Sequence, residues 1–348
     1  ENSIITNCSE LYIRDECGDD TCQSTYRNNV IISTMGNNGL YFSFGGKPTI
    51  TNNSVIETNN SIYRGIDIQY NSGAIVKNNL VSGYRGINVR AGVITSDTAY
   101  FENNVSLNSL SAAYDASTGN RTIIKNNIAK DCFRGIQGAN GVVNPDYNLY
   151  WNLDQLYYGS VIPGNSNIIA DPMLLNDTIP TANGNYDFHL QKYSPAIDKG
   201  DPTILDVDGS RSDIGMFGGP YGEIYTYMDL APKPPANLTA TMDSGLVHLK
   251  WNKNTEADLF RYRVYRDTVP DFIYDTTKII AVISDTSFYD DPPQKFISGN
   301  YYYKITAIDN EYHQSAASEE AHINITGIPE APPIVVEHYN LLQNYPNP

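Results

Sequence analysis

Cysteine is scarce, with four in 348 residues, and histidine is barely commoner at five. Cys8, Cys17, Cys22 and Cys132 follow no metal-ligand spacing, and no histidine precedes Cys132, so a cysteine–histidine metal site is excluded from the reading. Cys17 and Cys22 bracket a turn-like GDDT. Two readings stand there: a local disulfide formed in an oxidising compartment, or free thiols packed as small apolar groups. Cys8 and Cys132 are left unpaired. No apolar run approaches the roughly 18 residues of a membrane span, and no basic-then-apolar leader opens the chain. This predicts a soluble protein and a fragment of a longer one. Helical periodicity is missing as well. Basic charge is thin in the second half: residues 1–150 hold 11 Lys and Arg against 13 Asp and Glu, and residues 151–348 hold 12 against 26. A net charge of -16 weighted in this way argues against nucleic acid or an anionic membrane as partner.

What the chain has in abundance is a periodic double asparagine. The first residues of the pairs are Asn28, Asn52, Asn78, Asn103 and Asn126, at steps of 24, 26, 25 and 23, with ITN at Asn7 and DYN at Asn148 extending the series. A period of this length marks a stacked repeat. Between the pairs lie short β-branched stretches such as VII, SVI and TIIKNNI, broken by Gly, Asn and Ser, so each coil carries two or three short strands. Equivalent strands then stack in parallel, about 4.8 Å apart. Asparagine suits both tasks in such a coil, since it tolerates left-handed turns and its amide can hydrogen-bond from coil to coil.

These features make residues 1–222 resemble a right-handed parallel β-helix of the pectate-lyase-like kind. ADPMLL, YDFHLQKYSPAIDKGDP and DVDGSRSDIGMFGG, within Ala170–Gly219, resemble the closing segment that caps bacterial surface β-helix proteins. Residues 223–234 read as a linker. Residues 235–326 carry alternating strands (LVHLKW, YRVYRD, IIAVIS, YYYKITAID, AHINI) and resemble a fibronectin type III domain, with Trp251 in the core and Tyr301 at the tyrosine corner. Residues 327–340 are a second linker. LLQNYPNP, 341–348, resembles the opening of the C-terminal domain that sorts proteins through type IX secretion. The fold class is therefore all-β, a right-handed parallel β-helix followed by a fibronectin type III β-sandwich. The resemblance implies a secreted or outer-membrane cell-surface protein of a Gram-negative, Bacteroidota-like bacterium.

One phrase recurs in the coils: YRGI at Tyr63, YRGI at Tyr84 and FRGI at Phe133. The isoleucine step defines an inward column of Leu40, Ile66, Ile87, Tyr114 and Ile136. Positive φ explains the glycines Gly65, Gly86 and Gly135. The aromatics Tyr63, Tyr84 and Phe133 stack within their turns, and Arg64, Arg85 and Arg134 cap turn carbonyls, unless both groups face a ligand. The outward position after the step reads Tyr41, Asp67, Asn88, Asp115 and Gln137, with Arg90 two residues further on. The placing of Asp115 requires Tyr114 in the isoleucine column.

Two functions fit this face. In the first, the protein binds or displays toward polysaccharide, Tyr63, Tyr84, Arg64, Asn88 and Arg134 hold the glycan, and the fibronectin-like module is a spacer. In the second it is a polysaccharide-degrading enzyme. Asp67 and Asp115, two coils or about 9.6 Å apart, then act as the acid and base of an inverting glycoside hydrolase, or Arg85 or Arg90 serves as base of a lyase. Compact coils and scattered histidines favour binding. No cofactor is required. Asp206, Asp208 and Asp213 around a glycine turn invite a structural calcium, or else cap turn amides. The partner is a polysaccharide or cell-surface glycan, and the chain is read as a monomer.

Overall fold

The computed structural model describes residues 2–8, 11–14, 23–33, 39–43, 47–57, 63–69, 73–83, 85–90, 98–118, 121–178, 186–292 and 296–326. Cys17, Cys22, Tyr84 and residues 327–348, with the expectations placed on them, lie outside this set. The chain divides into two compact units, one reaching Leu230 and the other beginning at Ala231.

The first unit is a parallel β-solenoid of three sheets. Strands that follow the asparagine pairs, from Ile4–Cys8 through Val30–Ser33, Ser54–Glu57, Leu80–Ser82, Val105–Leu107, Ile128–Lys130 and Leu149–Trp151 to Ile168–Ile169, stack into the first sheet. The second runs from Leu11–Arg14 through Leu40–Ser43, Ile66–Gln69, Ile87–Arg90, Ala112–Thr118 and Arg134–Val143 to Gln155–Val161. The third, of strands that precede the asparagine pairs, runs from Thr25–Arg27 through Thr49–Thr51, Ile75–Lys77 and Thr98–Glu102 to Arg121–Lys125. Each coil sends alternate residues inward, and Ile31, Ile50, Val55, Ile66, Val76, Val81, Ile87, Phe101, Tyr114 and Ile136 fill the bore.

The second asparagine of each pair turns into this interior. Asn29, Asn53, Asn79, Asn104, Asn127, Asn148 and Asn167 form an amide ladder in which each Nδ2 donates to Oδ1 of the next at 2.9–3.2 Å. The same oxygen accepts the backbone N–H of the preceding rung, at 2.9–3.1 Å. Nδ2 also reaches carbonyls, as Asn104 does at Val76 O and Asn127 at Phe101 O. The first asparagine of each pair is left-handed, with φ of 54–57° at Asn28, Asn52, Asn78, Asn103 and Asn126. At the N-terminal end the position belongs to Asn2 (φ 56°) rather than Asn7, which sits in a strand. Asn148 does hold a ladder position, and Tyr147 takes the left-handed one before it.

A second left-handed column went unread in the sequence. Gly83, Asn108, Asp131 and Asn152 (φ 79, 53, 55 and 50°) turn the chain from the first sheet toward the second. Their mixed residue types hid a regular spacing.

Ala170–Gly219 does not cap the end of the stack. Its described residues run along the flank as a strap over the outward side of the first sheet, and Leu174, Phe188, Leu190, Ala196 and Ile214 pack on Ile32, Ile56, Leu80, Val105, Leu107, Ile128 and Leu149. The first-asparagine column fastens it. Asn126 Oδ1 accepts from Asp201 N (2.7 Å), and Asn103 Nδ2 donates to Asp213 O (2.9 Å). Asn78 Nδ2 donates to Met216 O and Gly218 O (2.8 and 2.6 Å), and Asn52 Nδ2 to Tyr221 O (3.1 Å). The strap thus retraces the solenoid coil by coil toward the N-terminus. Apolar residues on both faces of short strands require such a cover, because a bare outer face would expose a long apolar strip.

The second unit is a two-sheet sandwich. Thr239–Asp243, Leu246–Lys250 and Ser287–Asp290 form one antiparallel sheet, and Ile279–Ile283, Leu259–Asp267, Gly299–Asp309 and Ala321–Ile325 the other. Trp251 is buried in the core, edge-on to Tyr262 at 5.4 Å. Tyr301 OH donates to Ile297 O and accepts from Ile297 N, both at 3.2 Å, which is the tyrosine corner. The chain is accordingly all-β, a parallel β-solenoid with a fibronectin type III-like sandwich. No helix among the described residues is long and apolar enough to cross a membrane.

Asn104→Ala strands the backbone N–H of Asn79 in the interior and removes the side-chain donors to Val76 O and Asn127 Oδ1 and the acceptor of Asn79 Nδ2. It is expected to lower the unfolding free energy of the solenoid by about 3 kcal/mol. Asn28→Ala, at an exposed position, removes left-handed tolerance and one solvent-exposed amide hydrogen bond to Asn2 Oδ1 (3.1 Å), and costs about 1 kcal/mol. Urea unfolding followed by far-UV circular dichroism measures both, and equal losses would contradict the ladder.

Candidate functional site

Strand pairing in the second sheet fixes the register of the recurring phrase. Ile66, Ile87, Tyr114 and Ile136 pair in sequence, and Asn88 lies between Asp67 and Asp115. Tyr114 therefore occupies the isoleucine column, and Asp115 shares a side of the sheet with Asp67.

That side is not the accessible face expected from the sequence. Asp67 is 1% exposed, Asn88 fully buried and Asp115 6% exposed. Asn88 Nδ2 donates to Asp67 Oδ1 at 2.5 Å, and Gln69 Nε2 donates to Asp67 Oδ2 at 2.9 Å. Arg64 reaches across two coils to Asp115 Oδ2 at 3.3 Å. The gap that an inverting pair keeps for water and sugar is filled here by the side chain of Asn88. Alternation of residues told which side each group takes, but not whether that side is covered.

The arginines of the phrase have separate roles. Arg64 is an ion-pair partner inside the structure, whereas Arg85 is exposed. Arg134 lies between two rings, its guanidinium carbon 4.8 Å from the centroid of Phe133 and 4.1 Å from that of Tyr158. Its Nε donates to Gln155 Oε1 (3.1 Å) and one terminal nitrogen to Gln137 Oε1 (3.4 Å). For Arg90 the structure describes only the strand position, opposite Gln69 and Thr118.

The aromatics were expected to stack inside their turns. Instead Tyr63 and Phe133 are each 44% exposed, as is Tyr158 at 49%. Tyr158 was missed because it lies a coil beyond the last copy of the phrase. Of the glycines, only Gly86 has positive φ (76°). Gly65 and Gly135 serve close approach: a Cβ would stand 2.2 Å from Val81 Cγ1 at Gly65 and 2.7 Å from Leu156 O at Gly135.

Beside this patch is an open cleft of about 500 Å³ bordered by Asn108, Leu110, Asp131, Phe133, Asn152 and Asp154. Cys132 also borders it but is buried, and burial pushes its thiol up to about 12, leaving an inert side chain.

The carboxylates considered for calcium accept hydrogen bonds in the strap. Asp206 takes the backbone N–H groups of Asp213 and Gly219, Asp208 takes Ser210 N and Oγ, and Asp213 takes Asp198 N (2.9 Å) and Tyr227 OH (2.8 Å). This is the amide-capping alternative. Burial pushes the Asp213 carboxyl up to about 6, against the two hydrogen bonds and with the charges of Asp206 and Asp198 adding to the rise.

Arg64→Ala removes the ion pair at Asp115 from a largely buried setting and is expected to cost about 2–4 kcal/mol, while Arg85→Ala changes stability by less than about 0.5 kcal/mol. Chemical denaturation of both variants checks the contrast. Because the folded pKa of Asp213 lies above its unfolded value, its stabilising contribution is full below about pH 4 and is lost as pH rises through about 6. Asp213→Asn should gain about 2 kcal/mol relative to the parent between pH 4.5 and 7.5, read from unfolding midpoints at the two pH values. A constant difference would refute the assignment.

No family model matches the chain. A stretch of 90 residues is 32% identical to an amylopullulanase of Thermoanaerobacter thermohydrosulfuricus, covering 26% of this chain and 6% of that protein. The chain thus spans a small fraction of the length of this curated relative. Among solved structures, a Fn3-like protein from Clostridium thermocellum is similar at 27% identity, over 29% of this chain and 100% of that one, with a TM-score of 0.24. A β-1,2-glucanase from Parabacteroides distasonis is similar at 21% identity, over 31% of this chain and 15% of that one, with a TM-score of 0.23.

Proposed function

We propose that the protein is a secreted or cell-surface polysaccharide-binding solenoid, with the fibronectin-like sandwich as a spacer. The observation that carries the proposal is the platform of Phe133, Arg134 and Tyr158. Two exposed rings are held by one guanidinium that is itself hydrogen-bonded to Gln155 and Gln137. Such a surface offers apolar ring faces for sugar C–H groups and amide and guanidinium groups for hydroxyls. Little side-chain freedom remains to be lost on binding. The partial similarity to an amylopullulanase is in keeping with a glycan partner. Catalysis by Asp67 and Asp115 is the weaker reading, because both carboxylates are already engaged and Asn88 lies between them.

The purified chain is expected to be retarded in native gels containing polysaccharide and to release no new reducing or unsaturated ends. Tyr158→Ala should weaken retention about tenfold without lowering thermal stability. Product release that disappears in Asp67→Asn would replace this proposal with the hydrolytic one. Absence of both retention and product across neutral and acidic polysaccharides would refute both.

A further inference from the structure

We infer that the cleft beside the platform is a subsite for an uncharged hexopyranose chain lying along the solenoid axis; the inference rests on the polysaccharide-binding reading and assigns its substrate class. Its walls come from the same turn of three successive coils. Asn108, Asp131 and Asn152 occupy equivalent left-handed positions, and Leu110, Phe133 and Asp154 follow them. The cleft therefore extends in the stacking direction, with polar groups recurring about every 4.8 Å, close to the length of one pyranose ring along an extended glycan.

The lining chemistry selects the ligand. Leu110 and Phe133 are 51% and 44% exposed and give two apolar surfaces from adjacent coils, which suits the C–H face of a pyranose. The polar lining is amide, carboxylate and the Ser109 hydroxyl, with no lysine or arginine among the described residues that border the cleft. Asn152 Nδ2 donates to Asp131 Oδ1 at 2.6 Å, and the other oxygen of Asp131 pairs with Lys130, which also meets Asp177 at 3.0 Å. Asp131 is thus neutralised and fixed, an acceptor in place rather than a loose charge. Asp154 remains as an exposed carboxylate. A uronate or sulfated chain would bring like charge to Asp154, whereas hydroxyls find acceptors in the carboxylates and both donors and acceptors in the amides. A single unneutralised carboxylate is also a poor match for a polycationic peptide.

Affinity gels and calorimetry on the whole chain, with a neutral β-glucan, a soluble starch, polygalacturonate and poly-lysine as probes, test this. At least one neutral polysaccharide should bind and polygalacturonate should not. Leu110→Ser and Asn108→Ala should each weaken neutral binding about five- to tenfold; Leu110→Ser leaves the melting temperature unchanged because its side chain is exposed, and Asn108→Ala lowers it only through the lost left-handed tolerance. Asp154→Lys should gain binding to polygalacturonate. Neutral binding lost in Tyr158→Ala but untouched in Leu110→Ser and Asn108→Ala would overturn the subsite while leaving the platform intact. Binding of polygalacturonate alone, or of poly-lysine in place of glycan, would overturn it as well. Absence of binding to any polysaccharide would instead defeat the function on which it rests.

Discussion

The amide ladder is the interaction on which the solenoid depends. A buried asparagine side chain brings two donors and an acceptor into a region without water, and leaving them unmet costs a few kcal/mol. Stacking identical residues removes that cost. From Asn53 to Asn148 each Oδ1 accepts two N–H groups and each Nδ2 donates onward, so the amides point one way along the stack. Aligned hydrogen bonds polarise one another. The ladder also enforces register: a coil displaced by one residue would bury an apolar side chain opposite an amide and turn the whole strand inside out.

The left-handed residue that precedes each rung has a second use. Its side chain faces outward, and at Asn52, Asn78, Asn103 and Asn126 it holds the strap. One dipeptide per coil thereby organises both layers of the unit, the first residue fastening the outer cover and the second filling the inner ladder. The outward residues of the first sheet can be apolar only because that cover exists. Its fastening to successive coils limits where along the stack the strap can settle.

The coil repeat was legible because left-handed backbone restricts residue type so severely that Asn28, Asn52, Asn78, Asn103 and Asn126 stand out. The register of the second sheet was legible through its inward apolar column, and Tyr114 entered that column as expected. Trp251 and Tyr301 took their expected places for the same reason, since sandwich cores demand bulky groups at few positions. The course of the strap was not legible: the hydrogen bonds that fasten it to the asparagine column span from 75 to 169 residues of sequence and follow no period. Nor could alternation reveal that Asp67 and Asp115 are covered, since a period of two assigns a side and not its exposure.

The candidate binding residues are best recognised as positions where the repeat relaxes while the backbone does not. Ser111, Phe133 and Asp154 precede paired strand residues of neighbouring coils, yet they share no chemistry. A ladder position could not vary in this way. Where register is kept and residue type is free, the fold places no demand on the side chain, so an exposed ring such as Phe133 is not there to hold the stack together. Tyr158 and Leu110, also large, apolar and solvent-facing, fall under the same argument, and together with the bound guanidinium of Arg134 they form the part of the surface that folding alone leaves unexplained.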